Sequence, residues 1–173
     1  MKVHRRRILG AIGAVGALVA AALIVLPARA TQPTPAPEVS SIILAKSLFD
    51  PIHVTARTPA PDRWKAQLKT HGQSDVYAVD NTFPPGASSG WHSHPGPSLI
   101  LVVAGTVTNY PGDDPNCIPR AYSAGAGFID PGGQHVHMLR NEMGAVAETI
   151  AVQLLPKDAA RRIPADAPSG CPS

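Results

Sequence analysis

Proline and glycine cut this chain into short pieces, and that limits its fold more than any other feature. Nineteen prolines and 15 glycines stand among 173 residues, many of them clustered as Pro84-Pro85-Gly86, Pro95-Gly96-Pro97, Pro111-Gly112 and Pro131-Gly132-Gly133. Proline removes a helix donor and glycine adds entropy cost, so no long helix fits between such breaks. The intervening runs are short and apolar or alternating: Ser41–Leu44, Ile52–Ala56, Val76–Asp80, Leu99–Ala104, Thr106–Tyr110, Gly127–Ile129, Val136–Leu139 and Ala147–Leu155. Each has the length of a β-strand. An all-β, turn-rich antiparallel domain is expected, in which Leu99–Val103, apolar on both faces, lies between the core and a second layer. Two stretches invite a helix, Ser40–Phe49 and Lys157–Arg162. The 44% hydrophobic content excludes a mostly disordered chain, and the length excludes two full domains.

The net charge of +3 is local. Residues 1–30 hold Lys2, Arg5, Arg6, Arg7 and Arg29 and no acid, so the rest of the chain carries ten basic against 12 acidic side chains. That balance argues against nucleic acid as a partner. A basic start, an apolar run from Ile8 to Leu26 and the small-residue site Ala28-Arg29-Ala30 read as a signal peptide cleaved after Ala30. The run is also just long enough for a retained anchor. Arg5-Arg6-Arg7-Ile8-Leu9 is similar to a twin-arginine export signal and equally to an ordinary basic start, so the route stays open. Residues 31–38 form a Pro-rich linker, and residues 39–173 form the folded domain. An exported protein without membrane attachment after cleavage is the expectation. Its two cysteines, Cys117 and Cys171, then predict a disulfide between surface loops, with free thiols as the alternative.

Six of the seven histidines follow residue 30, and four of them form two tight pairs, His92-Ser93-His94 and His135-Val136-His137. Residues two apart on a strand share a face, so each pair can aim its imidazoles at one centre. Imidazole is the commonest metal ligand. His53 and His71 lie apart from these pairs and read as surface residues.

These residues resemble the cupin superfamily. Gly86, His92, His94, position 98 and Gly105 reproduce the spacing G-x5-H-x-H-x3-E-x6-G, with Ser98 where the family has glutamate. Gly125, Pro131, Gly133, His137 and Asn141 follow G-x5-P-x-G-x2-H-x3-N with one extra residue before His137. The resemblance implies a single jelly-roll β barrel holding one divalent ion, of Fe, Mn, Zn, Ni or Cu, through His92, His94 and His137. The insertion keeps His135 open as an alternative or fourth ligand, and Ser98 is placed just behind the ligands. Glu148 is a weaker source of the missing carboxylate. Cupins also pair through their sheets, which leaves a homodimer open.

Two functions follow from the resemblance. One is an exported metal-dependent enzyme of oxygenase, isomerase or hydrolase type acting on a small organic molecule, with His135 as acid or base if it is not a ligand. The other is a non-catalytic module capturing a small ligand or metal at the cell surface, which the loss of glutamate favours. A metal held only for stability is a third reading.

Overall fold

The computed structural model describes residues 37–172, and the proposed signal segment and most of the linker lie outside them. Twelve strands run in order: β1 (Ser40–Phe49), β2 (His53–Arg57), β3 (Lys65–Lys69), β4 (Ser74–Phe83), β5 (His92–Ser93), β6 (Ser98–Ala104), β7 (Thr106–Pro111), β8 (Arg120–Ser123), β9 (Gly127–Asp130), β10 (His137–Arg140), β11 (Ala147–Pro156) and β12 (Ile163–Pro164). They form two five-stranded sheets, β1-β4-β11-β6-β9 and β12-β5-β10-β7-β8, with β2 and β3 as a separate exposed hairpin. Every strand pairing is antiparallel. The all-β jelly roll expected from the sequence is the observed fold.

The alternation of β11 is the clearest link between sequence and core. Ala147, Thr149, Ala151, Gln153 and Leu155 are buried, and the residues between them are half-buried. Phe83, Val102, Val107, Leu139 and Ala147 fill one end of the space between the sheets. Tyr77, Val79, Ile100, Ala151 and Leu155 fill another part. The chain crosses from β6 to β7, and so from one sheet to the other, through Gly105 alone. That residue has φ +63°, and a Cβ there would sit 2.5 Å from the Val146 carbonyl oxygen. Only glycine meets both demands without strain.

Four expectations change. Ser40–Phe49 is a strand paired along β4, and a register break between Ile43 and Ala45 interrupts the alternation that would have marked it as one. Lys157–Arg162 is irregular. Asp158 has φ +58°, its amide donates to Asp75 Oδ2, and the Lys157 amide donates to the Gln73 carbonyl, so these donors serve β4 and the loop before it. Third, Leu99, Leu101 and Val103 are each about half exposed, so the outer face of β6 lacks the second layer that its composition suggested. Cys117 and Cys171 are disulfide-bonded, with Cα atoms 5.4 Å apart. Contrary to the surface setting expected, Cys117 is buried with Trp91, Tyr110 and Met138.

Candidate metal centre

Strand pairing assembles the histidines. In the second sheet β5 lies beside β10, and their register puts His92 directly opposite His137. Cross-strand partners have Cβ atoms about 5 Å apart, and here the two rings have centroids 4.5 Å apart. His94, two residues beyond His92, returns to the same face. Its ring lies 4.9 Å from that of His92 and 5.6 Å from that of His137. All three side chains are buried, and one nitrogen from each lies within 4.8 Å of the others. Trp91 alternates to the opposite face, where its Nε1 donates to the Pro172 carbonyl and its ring packs beside the disulfide.

Each ring is oriented by its other nitrogen. His92 Nδ1 meets the Gly90 carbonyl at 2.9 Å, His94 Nδ1 meets the Arg161 carbonyl at 2.5 Å, and His137 Nδ1 lies 3.3 Å from Asn109 Oδ1. An oxygen acceptor on Nδ1 places the proton there and leaves the Nε2 lone pair free, the arrangement found behind metal-bound histidines. His137 Nε2 is fully buried and has no hydrogen-bond partner. Burial pushes the His92 pKa down to about 3 and that of His137 to about 2, and neighbouring positive groups add to both effects. Burial lowers His94 as well, against the opposing influence of the Arg161 carbonyl and Asp130. The three imidazoles are therefore neutral at neutral pH, as ligands must be. This donor set fits a divalent first-row ion.

Ser98 and His135 stand elsewhere. On β6, Ser98 is paired with Gln153 of β11 on one side and with Asp130 of β9 on the other. These three buried residues form one polar row across the first sheet. Gln153 Nε2 donates to Ser98 Oγ at 3.3 Å, and Gln153 Oε1 accepts from Arg161 Nη1 at 3.2 Å. His135 is turned away from the three-histidine cluster: its Nδ1 is 2.9 Å from Asp130 Oδ1 and its Nε2 is 3.1 Å from Asp113 Oδ1. Glu148 falls on the outward alternation of β11.

Sequence reasoning missed Asp130. Its Oδ2 is 3.9 Å from His94 Nε2 and 3.8 Å from His137 Nε2. This oxygen is fully buried and also lacks a hydrogen-bond partner. A signal was present in principle, since an acid directly before Pro131, at the end of an apolar strand, is out of place in an ordinary core. Gln153 and Arg161 carried no such mark.

A cavity of about 440 Å³ opens over the cluster between the sheets. Beyond the histidines, its lining includes Asn81, Thr149, Gln153, Arg161, Arg162 and Glu38. The site is thus a buried imidazole cluster at the floor of a cavity of mixed polar and apolar lining, large enough for a small organic molecule.

No curated protein matches this chain in sequence. Residues 80–153 match the cupin domain. Among solved structures, the chain is similar to an uncharacterized conserved protein with a double-stranded beta-helix domain from Klebsiella pneumoniae, at 21% identity and a TM-score of 0.45, over 68% of this chain and 86% of that one. It is also similar to a DMSP lyase from Ruegeria pomeroyi, at 20% identity and a TM-score of 0.45, over 51% of this chain and 42% of that one. A third similar structure is an oxalate oxidase in complex with glycolate, at 24% identity and a TM-score of 0.41, over 45% of this chain and 41% of that one. The chain spans less than half the length of the last two. Both histidine motifs lie on the all-β double sheet, and the stretch of residues 80–153 that holds them is a cupin domain.

Proposed function

We propose that this protein binds one divalent first-row metal ion through His92, His94 and His137 and presents it to a small organic anion in the cavity above. The observation that carries this reading is the cluster itself, three buried imidazoles whose Nδ1 atoms meet oxygen acceptors while their other nitrogens converge. Arg161 and Arg162 line the cavity with only Glu38 as an acidic counterpart among its lining residues, so its charge favours an anionic ligand. A bound divalent ion would supply Lewis acidity or, if redox-active, electron transfer. The chain's own residues hold that position, set the tautomers and admit the ligand. Metal-dependent catalysis on a small carboxylate-type molecule is the leading form of this function.

A non-catalytic capture module is the second reading. It is supported by the cavity lining, which offers no acid or base apart from the candidate ligands, the two arginines and Glu38. Export through the segment of residues 1–30 is part of the proposal, and the Cys117–Cys171 disulfide supports an oxidising destination.

The test is metal analysis of the chain expressed with its own N-terminal segment and purified without chelator. Measured ligand binding and turnover of small carboxylates would follow. One equivalent of metal with metal-dependent turnover is expected. One equivalent with carboxylate binding but no turnover selects the capture module, and no metal uptake rejects both.

A further inference from the structure

We propose that Asp130 is a fourth metal ligand, a carboxylate moved one strand across the sheet to stand in for the glutamate missing at position 98. The inference rests on the three-histidine reading above. Ser98 and Asp130 are direct cross-strand partners on β6 and β9. Both are buried, at 0% and 1% exposure, and both belong to the inward-facing row that includes Gln153. Neighbouring strands are about 4.8 Å apart. A carboxyl group lost from one strand can therefore be replaced from the next, provided the replacement side chain leans toward the cluster.

Asp130 does lean that way. Its Oδ2 lies 3.8 and 3.9 Å from the Nε2 atoms of His137 and His94. Donor atoms about 2.0–2.2 Å from one ion stand roughly 3–4 Å from each other, so these separations suit a centre shared with His94 and His137. Asp130 lies outside the 4.8 Å group that His92 completes and would close toward it on binding an ion. The two carboxylate oxygens have different surroundings. Oδ1 accepts from His135 Nδ1 at 2.9 Å and from the Gly132 amide at 3.3 Å. Oδ2 is buried, has no donor and faces His137 Nε2, which is likewise buried and without a partner. A desolvated carboxylate oxygen 3.8 Å from a desolvated imidazole nitrogen is costly unless a cation or a proton satisfies them, and a shared cation would satisfy both at once.

The same geometry assigns His135 a different part from ligation. With one nitrogen on Asp130 and the other on Asp113, it holds the carboxylate in place from behind. Chemically, the centre becomes three neutral imidazoles and one anion. A divalent ion held there would carry a net charge of +1 instead of +2.

The experiment uses the full chain, stripped of metal and titrated with Zn²⁺ for affinity and with Co²⁺ for its visible absorption spectrum. The unsubstituted chain, His94→Ala, Asp130→Asn, and the exchange Ser98→Glu with Asp130→Ser are compared. Asp130→Asn keeps the shape and an acceptor for Gly132, so the fold is retained. The expected result is a loss of at least about tenfold in Zn²⁺ affinity with an altered Co²⁺ spectrum in Asp130→Asn. The exchange variant, with its carboxylate back at position 98, is expected to recover most of both. Unchanged affinity and spectrum in Asp130→Asn would overturn the assignment while leaving the three histidines intact. Reduced affinity with an unchanged Co²⁺ spectrum would also overturn it, because Asp130 would then act only by positioning. No uptake by the unsubstituted chain, or full uptake by His94→Ala, would overturn the three-histidine reading itself.

Discussion

At the scale of single residues, the site depends on which atoms are left without partners. His94 uses Nδ1 on the Arg161 carbonyl and turns Nε2 toward Asp130, so His94→Ala removes one candidate ligand without disturbing strand pairing. In the unsubstituted chain, metal at a hundredfold excess over Kd is expected to add about 2.7 kcal/mol to stability. His94→Ala should lose that gain, which thermal unfolding with and without Zn²⁺ would measure. Asn141, legible in the sequence only as the end of a motif, has a structural task. Its Nδ2 donates to the Phe83 and Ala145 carbonyls, and its Oδ1 accepts from the Met143 amide. Asn141→Ala removes three hydrogen bonds to backbone groups and should cost about 2–3 kcal/mol by denaturant unfolding, with the histidine cluster left in place.

At the scale of elements, the site depends on connections that bring strands together. Gly105 turns β6 into β7 against the Val146 carbonyl, so Gly105→Ala combines left-handed strain with a clash against backbone. A loss of about 2 kcal/mol or more is expected in equilibrium unfolding. The disulfide closes a separation of 54 residues and joins the loop after β7 to the tail that follows β12. That tail matters to the site because β12 pairs with β5, with Pro164 opposite His92. Cys171→Ser should lower stability by about 3–4 kcal/mol. Of these elements, long strands such as β11 were legible because their alternation is unbroken. The two-residue strand β12 was not, because a strand that short exists only where a neighbour provides its hydrogen bonds.

At the scale of the whole molecule, folding forces three histidines to stay neutral. The folded-state pKa values of His92 and His137, about 3 and about 2, lie below the 6.5 of the free side chain. The unfolded chain therefore binds more protons once pH falls below that value. These groups contribute their full stability above pH 6.5 and lose it as pH falls toward 3, with a slope of up to about 1.4 kcal/mol per pH unit for each. Metal-free protein should thus show level stability from pH 8 to 7 and a falling melting temperature from 6.5 to 5. Scanning calorimetry in the presence of chelator measures this, and a melting temperature that rises on acidification would contradict the burial of neutral imidazoles.

Sequence by itself determined the all-β class, the jelly-roll expectation and the three histidines that the fold brings together. Turn residues and paired histidines act locally, through backbone conformation and the two-residue period of a strand, so their meaning survives without coordinates. Tertiary structure decided the rest. Whether His135 faces the cluster or holds a carboxylate depends on the extra residue in the loop after β9, and no spacing rule fixes how a loop turns. The apolar face of β6 was read as covered, yet composition does not say what lies above a sheet. Asp130 came into view only through its register with Ser98, because cross-strand neighbours 32 positions apart are joined by hydrogen bonds that form when the barrel closes.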